Sequence, residues 1–322
     1  MSRLFRITLI LLTVLGTPVF LYFFIGMNLF FSPVGALLGI VFGVVYVLLV
    51  VWLFSRSPMW PEASGAGRKW VLASLLWGGG VSFTLVMLGG MPILTLMERL
   101  SLVMVSASFG GAYPEEIAKL LGVGVLLFTF RALNRPWHGF VTGALIGLGF
   151  EVTENAMYGG FGAMLDPNND LDGTLSMWGL RVIAGPGLHI IFSALAGWGL
   201  GLAVFTAGKS RAWRIRQAGG WLFVAFALHF AWNLLWPTER AQIISYLVVA
   251  LVMYPLFIWV WLRAHRAARE DVSYAFTPGP VTSLEGLRAL EALPAARSTL
   301  STTPPALPAP EQSAPSATAT DP

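Results

Sequence analysis

The sequence contains no cysteine and few charged residues. Without cysteine, the chain has no disulfide, no thiolate ligand for a metal and no cysteine nucleophile. Only 11% of its 322 residues are charged and 56% are hydrophobic, whereas a soluble domain has about 25% charged residues. This balance predicts a polytopic, all-α membrane protein. The net charge of +4 then reflects membrane topology, and we expect no nucleic-acid partner.

Runs of about 20 apolar residues, the length that crosses a bilayer as a helix, predict a bundle of about eight transmembrane helices. They cover residues 7–25, 34–54, 70–90, 112–130, 140–158, 180–205, 221–236 and 243–262. Residues 93–109 fit either an interfacial helix or the first half of a long fourth span that is broken at Gly110 and Gly111. Glycines recur four apart, as at Gly143 and Gly147, which favours tight helix packing.

The chain divides into two predicted regions. Residues 1–270 are expected to form the helical domain, with a motif-bearing core at 112–236. Residues 271–322 are rich in Pro, Ala, Ser and Thr and have few aromatic residues. Such a segment buries too little apolar surface to fold alone, so we expect a disordered cytoplasmic tail.

The distribution of basic residues predicts the orientation of the bundle. With the N-terminus inside, most Lys and Arg residues fall in inner loops, and only Arg99, Arg181 and Arg240 fall outside. Both termini are therefore predicted to face the cytoplasm, in a plasma or inner membrane. The first apolar run follows Arg3 and Arg6 but is longer than the core of a signal peptide, so we expect it to be retained.

Four apolar stretches carry polar side chains that a membrane disfavours. A charged residue at the centre of a spanning helix costs roughly 2.5–3.5 kcal/mol on insertion scales. The four sets are Glu115, Glu116 and Lys119; Glu151, Glu154 and Asn155; His189; and His229 and Asn233. In the predicted topology all four lie between the outer surface and the midplane, and their i,i+3 and i,i+4 spacings put each set on one helix face. They predict one shared polar cavity.

The ordered set of motifs also resembles a known family. Glu-Glu-x-x-Lys at 115–119, Phe-Glu-x-x-Glu-Asn at 150–155, an isolated His189 and His-x-x-x-Asn at 229–233 resemble the PrsW family of intramembrane proteases. That family is distantly similar to the type II CAAX prenyl endopeptidases and to bacteriocin-processing membrane proteases. The resemblance implies an all-helical protease that cuts a membrane-anchored or membrane-proximal protein substrate. It does not predict the oligomeric state.

Peptide hydrolysis requires an activated water, a stabiliser for the oxyanion and a proton for the leaving amine. We expect Glu115 or Glu116 to be the general base, with Lys119 or the other glutamate holding it in place. Asn233 is expected to donate to the oxyanion, and Glu151 is grouped with these catalytic residues.

Two mechanisms stay open at this point. In the first, His189, His229 and one or two glutamates, with Glu154 as a candidate, bind zinc with one open position. In the second, a glutamate alone activates the water, and the histidines and Asn233 form the oxyanion hole.

Other functions and other protease classes are weaker interpretations. The sequence has no His-Glu-x-x-His, Gly-x-Gly-Asp or Gly-x-Ser-x-Gly motif at these spans. A proton-coupled transporter also uses intramembrane Glu and His, but here the polar residues cluster at one depth. A non-catalytic scaffold is the third possibility. For single residues the simplest alternative is a structural ion pair, such as Glu151 with Lys119 or Arg181.

Overall fold

The computed structural model of the chain describes residues 3–61 and 68–271, and these residues contain helices and no β-strand. The predicted tail lies outside the described residues from 272 onward. The α-helices are α1 (Arg3–Leu21), α2 (Met27–Phe31), α3 (Pro33–Ser55), α4 (Lys69–Leu76), α5 (Phe83–Arg99), α6 (Val103–Ala107), α7 (Tyr113–Thr129), α8 (Pro136–Leu165), α9 (Asp170–Ala184), α10 (Leu188–Phe205), α11 (Arg211–Trp232) and α12 (Glu239–Arg269). The π-helical turns Tyr22–Gly26, Trp77–Ser82 and Ser108–Ala112 join α1 to α2, α4 to α5 and α6 to α7.

The all-helical membrane architecture is confirmed. In the part of the chain that the structure describes, five helical segments are long and apolar enough to cross a membrane, namely Arg3–Phe31, Pro33–Ser55, Lys69–Arg99, Asp170–Phe205 and Glu239–Arg269. The other three predicted spans correspond to α6–α7, α8 and α11. These helices carry charged residues that lower their hydropathy, including the glutamates of α7 and α8 and the arginines at the start of α11.

The ambiguous segment 93–109 divides between two neighbouring helices. Its first part extends α5 to Arg99, and a new helix begins at Val103. Gly110 and Gly111 do not end that helix, because the chain passes through them as the π-helical turn Ser108–Ala112 and continues into α7. The fourth span is therefore long and has one wide turn next to the first glutamates.

The predicted sixth span is divided by Gly185-Pro186-Gly187. Gly187 has φ +72°, a left-handed conformation that favours glycine. Pro186 lacks an N–H and so cannot continue the hydrogen bonding of α9. As a result α10 starts inside the bundle, and His189 is its second residue. The predicted span 180–205 is therefore formed by the end of α9 and by α10 rather than by one continuous helix.

Helices α8 and α10 form the centre of the bundle, and most of their residues are buried. A Cβ at Gly147 would collide with the carbonyl oxygen of His189, and one at Gly143 would collide with that of Ser193. The glycine spacing thus permits the predicted close approach of two backbones. This contact fixes the position of His189 along the axis of α8.

The other end of α10 is held by a buried arginine from α11. Arg214 Nη1 donates to the carbonyl of Ala203 at 2.6 Å, and Nη2 donates to the carbonyl of Thr206 at 2.8 Å. A cation is favourable there because the last carbonyls of a helix have no intrahelical donor. The helix that presents His189 is therefore anchored at its far end as well.

A candidate active site within the bundle

The four predicted polar sets meet beside one cavity of about 410 Å³. One wall is apolar and comes mostly from α5. It consists of Phe83, Val86, Met87, Met91 and Leu94. The polar part of the lining includes Glu115, Glu154, Arg181, His189, His229 and Asn233. The predicted convergence of helices that are far apart in the chain is thus observed, and an apolar surface lies opposite the polar groups.

The first turns of α7 supply the acidic pair and the lysine. Pro114 lies in the first turn, where a missing N–H costs no hydrogen bond. Lys119 Nζ lies 2.6 Å from Glu116 Oε1 and 3.3 Å from Glu115 Oε2, as the i,i+3 and i,i+4 spacings predict. All three residues are buried, yet only Glu115 lines the cavity.

The contacts of His189 define its tautomer. Its Nδ1 lies 3.2 Å from Lys119 Nζ, and an ammonium can only donate, so Nδ1 accepts. Its Nε2 then carries the hydrogen and donates to Glu154 Oε2 at 2.8 Å. The lone pair on Nδ1 is therefore directed at Lys119, and the Nδ1 atom lies 3.5 Å from Glu115 Oε2.

His229 uses its two nitrogens in the opposite sense. Asn233 Nδ2 donates to Nε2 at 3.2 Å, and Nδ1 donates to Glu116 Oε1 at 2.8 Å. The ring stacks on Phe192, with centroids 4.8 Å apart. The Nε2 lone pair lies 3.9 Å from Glu115 Oε2. Both imidazoles thus direct an unprotonated nitrogen toward Glu115.

Glu151 does not line this cavity. Its carboxylate accepts the N–H groups of Gly187, His189 and Ile190 at 3.2, 3.1 and 3.4 Å. The Tyr46 hydroxyl donates to Oε1 at 2.9 Å. Because the first N–H groups of a helix have no intrahelical acceptor, a buried carboxylate there caps α10 and complements the helix dipole. Glu151 stabilises the backbone that carries His189.

Glu154, one turn further along α8, holds the ring of His189. Arg181 of α9 donates to the same oxygen that accepts from the imidazole, and its Nε donates to Asn155 Oδ1 at 2.5 Å. The guanidinium also lies over the ring of Tyr158, 4.5 Å from its centroid. The ion-pair partner of Arg181 is Glu154, and the alternative pairing of Glu151 with Lys119 or Arg181 is not observed.

The π-helical turn before α7 brings backbone close to the polar groups. A Cβ at Gly111 would lie 3.2 Å from both Asn233 Nδ2 and Glu115 Oε1. With glycine there, that space stays open between an amide donor and a carboxylate. Such wide turns are frequent at functional sites because they displace one residue from the regular helix.

Four of these residues have the donor atoms of a metal site. The ligand atoms of Glu115, Glu116, His189 and His229 all lie within 4.8 Å of one another. Two imidazole nitrogens and carboxylate oxygens are a usual donor set for catalytic zinc. Glu154 is outside this group, since its oxygen contacts the opposite nitrogen of His189.

The profile of a family described as PrsW family intramembrane metalloprotease matches residues 66–260, more than half of the chain. The chain belongs to this PrsW family. The resemblance seen in its motifs is therefore confirmed, and the protein is a membrane-embedded protease that acts on a protein substrate. No curated protein and no solved structure matches the chain.

Three residues of the site were not identified as site residues from the sequence. The sequence indicates Arg181 only as an outer basic residue and as a possible structural partner of Glu151, although it lines the cavity of this PrsW protein. Tyr46 comes from α3, outside the motif-bearing core, and one tyrosine in an apolar span gives no signal. Gly111 was read as a helix breaker. A π-helical turn has no sequence signature that separates it from a break.

Proposed function

We propose that the protein is an intramembrane endopeptidase in which Glu115 activates a water molecule to cut a membrane-anchored or membrane-proximal protein. The observation that carries this assignment is the position of the Glu115 carboxylate. It lines the cavity, lies close to two unprotonated imidazole nitrogens, and accepts from Lys119 through only one of its oxygens. Its Oε1 is therefore the acceptor for a water proton.

Glu116 has a supporting role in this proposal. Its Oε1 already accepts from both Lys119 and His229, and the residue does not line the main cavity. It holds the lysine and the imidazole in fixed positions, and the lysine in turn holds Glu115. This choice between the two glutamates was open on sequence alone.

The remaining steps use groups beside Glu115. Water oxygen attacks the scissile carbonyl carbon while Glu115 takes one water proton. Asn233 has a second amide hydrogen beside the open space at Gly111, and it stabilises the oxyanion. Glu115 then returns its proton to the leaving nitrogen as the C–N bond breaks. Glu151 and Glu154 position His189 rather than transfer protons.

The donor set of the site fits a metal ion. Glu115, Glu116, His189 and His229 would hold it, because their ligand atoms are mutually close and both imidazoles present unprotonated nitrogens. When bound, a zinc ion would act as a Lewis acid at the reacting oxygen. Glu154 would support His189 as a ligand, because it accepts the Nε2–H and so leaves Nδ1 unprotonated.

The proposed topology places both termini in the cytoplasm and the cavity in the outer half of a plasma or inner membrane. The cysteine-free sequence allows a direct test with single cysteines. A cysteine in the loop between α8 and α9 should react with an impermeant maleimide in intact cells, whereas one between α10 and α11 should not. The reverse labelling pattern would contradict the topology.

The activity is tested by comparing membrane proteomes of cells that express wild type or Glu115→Gln. Substrate fragments should be lost in the variant, with the cleavage rate falling about 100- to 10,000-fold, the range of general-base catalysis. Glu98→Gln, at the exposed end of α5, is the matched control and should process normally. Unchanged fragments in a Glu115→Gln protein that inserts and accumulates would refute the proposal.

A further inference from the structure

The ammonium of Lys119 occupies the centre of the polar cluster. The side chain has no solvent exposure. Its Nζ lies 2.6 Å from Glu116 Oε1, 3.2 Å from His189 Nδ1 and 3.3 Å from Glu115 Oε2. An ammonium has three N–H donors and no acceptor. All three donors are thus directed at acceptors, and the lysine is fully satisfied.

These acceptors belong to residues of the four-residue donor group. Glu115, Glu116 and His189 contribute to the group that could hold a metal. The fourth member, His229, has its Nδ1 directed at Glu116, and its Nε2 accepts from Asn233. An unprotonated imidazole nitrogen has a single lone pair, so a metal ion at His189 Nδ1 or His229 Nε2 needs the lone pair that Lys119 or Asn233 already uses. The chain's own donors therefore satisfy both imidazoles, whereas Glu116 Oε2 has no hydrogen-bond partner among the described residues.

The geometry points to Lys119 as an internal cation that competes with a metal ion for the charge of the acidic pair and for the lone pair of His189 Nδ1, with Asn233 blocking the nitrogen of His229. In this arrangement, the acidic pair and both imidazoles stay positioned without a metal. A metal ion binds His189 only when the ammonium leaves its Nδ1. The inference rests on the proposed function of the same site and adds which cation the site holds at rest.

The site holds a cation because negative charge surrounds the buried lysine. Two carboxylates and one ammonium share a region of low dielectric constant, where an unpaired charge is strongly disfavoured. If the lysine is replaced by an uncharged side chain, two buried carboxylates lose their nearby cation, and the lone pair on His189 Nδ1 becomes free. The site should then gain affinity for a divalent cation in place of the ammonium.

The test measures metal binding and uses no substrate. The purified full chain in detergent is titrated with Co²⁺ and with Zn²⁺ by equilibrium dialysis, and the thermal midpoint is recorded with and without each metal. Lys119→Met should bind one Co²⁺ at least tenfold more tightly than wild type. Its lowered melting temperature should rise with metal, while that of wild type stays unchanged. Lys209→Met, which removes an exposed lysine at the inner end of the bundle, should behave as wild type.

Lys119→Gln serves as the second variant, because it keeps a polar side chain of similar length without the charge. Equal affinity for Co²⁺ in wild type and in both Lys119 variants would overturn the inference. Failure of all three proteins to bind metal would also overturn it, because removal of the ammonium would then expose no cation site. The metal titration tests this inference alone. The Glu115→Gln comparison measures proteolysis and tests the proposed function independently.

Discussion

The two halves of the site use their glutamates differently. In the half formed by α7 and α11, Glu115 faces the cavity, and Glu116 binds a lysine and an imidazole. In the half formed by α8, α9 and α10, Glu151 caps a helix, and Glu154 accepts from an arginine and an imidazole. The sequence presents both pairs as intramembrane acids of similar depth. Only their hydrogen-bond partners distinguish them.

This difference separates reacting groups from supporting groups. A carboxylate that already accepts three backbone N–H groups and a hydroxyl, as Glu151 does, has no free lone pair for a water. Glu115 accepts from one ammonium and keeps an oxygen beside the cavity. We therefore expect substitutions in the first half to change the chemistry, and those in the second half to change geometry and stability.

After the loss of the base in Glu115→Gln, the largest effect is expected for Glu116→Gln. Glutamine cannot balance the charge of Lys119 and also accept from His229 with the same strength, so both neighbours of Glu115 lose their position. A displacement of about 1 Å near the reacting atoms costs on the order of 100-fold in rate. The cleavage rate of the substrate found by proteomics should fall by about that factor, mainly in kcat. A loss under about threefold, beside a normal Glu98→Gln control, would contradict this role.

A smaller effect is expected for Glu154→Gln. The carboxylate fixes the tautomer of His189 by accepting its Nε2–H, and removal of such a partner typically costs about 10- to 100-fold. The amide oxygen of glutamine still accepts from the ring, so a loss near tenfold is expected. Arg181→Gln should give a comparable loss, because the arginine holds Glu154. Full activity in both variants would show that the α8–α10 half does not position the imidazole.

The smallest effect on activity is expected for the helix cap. Glu151→Gln should lower stability by about 1–3 kcal/mol, because buried N–H groups of α10 lose a charged acceptor. Tyr46→Phe should cost about 1 kcal/mol through its single hydrogen bond. Thermal midpoints in detergent measure both, with Tyr22→Phe, an exposed tyrosine in the π-helical turn after α1, as control. If Glu151→Gln kept its stability but lost all activity, Glu151 would belong with the reacting groups.

Local spacing explains how much of the site could be predicted. Lys119 lies three and four residues after the glutamates, and His229 lies four residues before Asn233, so each pair meets on one helix face in any fold. The contacts that the sequence did not predict join different helices. Arg181 of α9, for example, donates to Glu154 of α8, 27 residues earlier in the chain.

The sequence by itself determined that the protein is a helical membrane bundle, and it predicted that acids, imidazoles and an amide lie at one depth. Apolar run length, polar spacing and basic-residue bias are local or additive properties, and they need no knowledge of packing. The tertiary structure alone decided that Glu115 faces the cavity, that Glu151 caps α10 and that Lys119 fills the centre of the cluster. Those outcomes depend on which lone pairs meet which donors after the helices pack, and hydrogen-bond direction across helices is not encoded in any single segment.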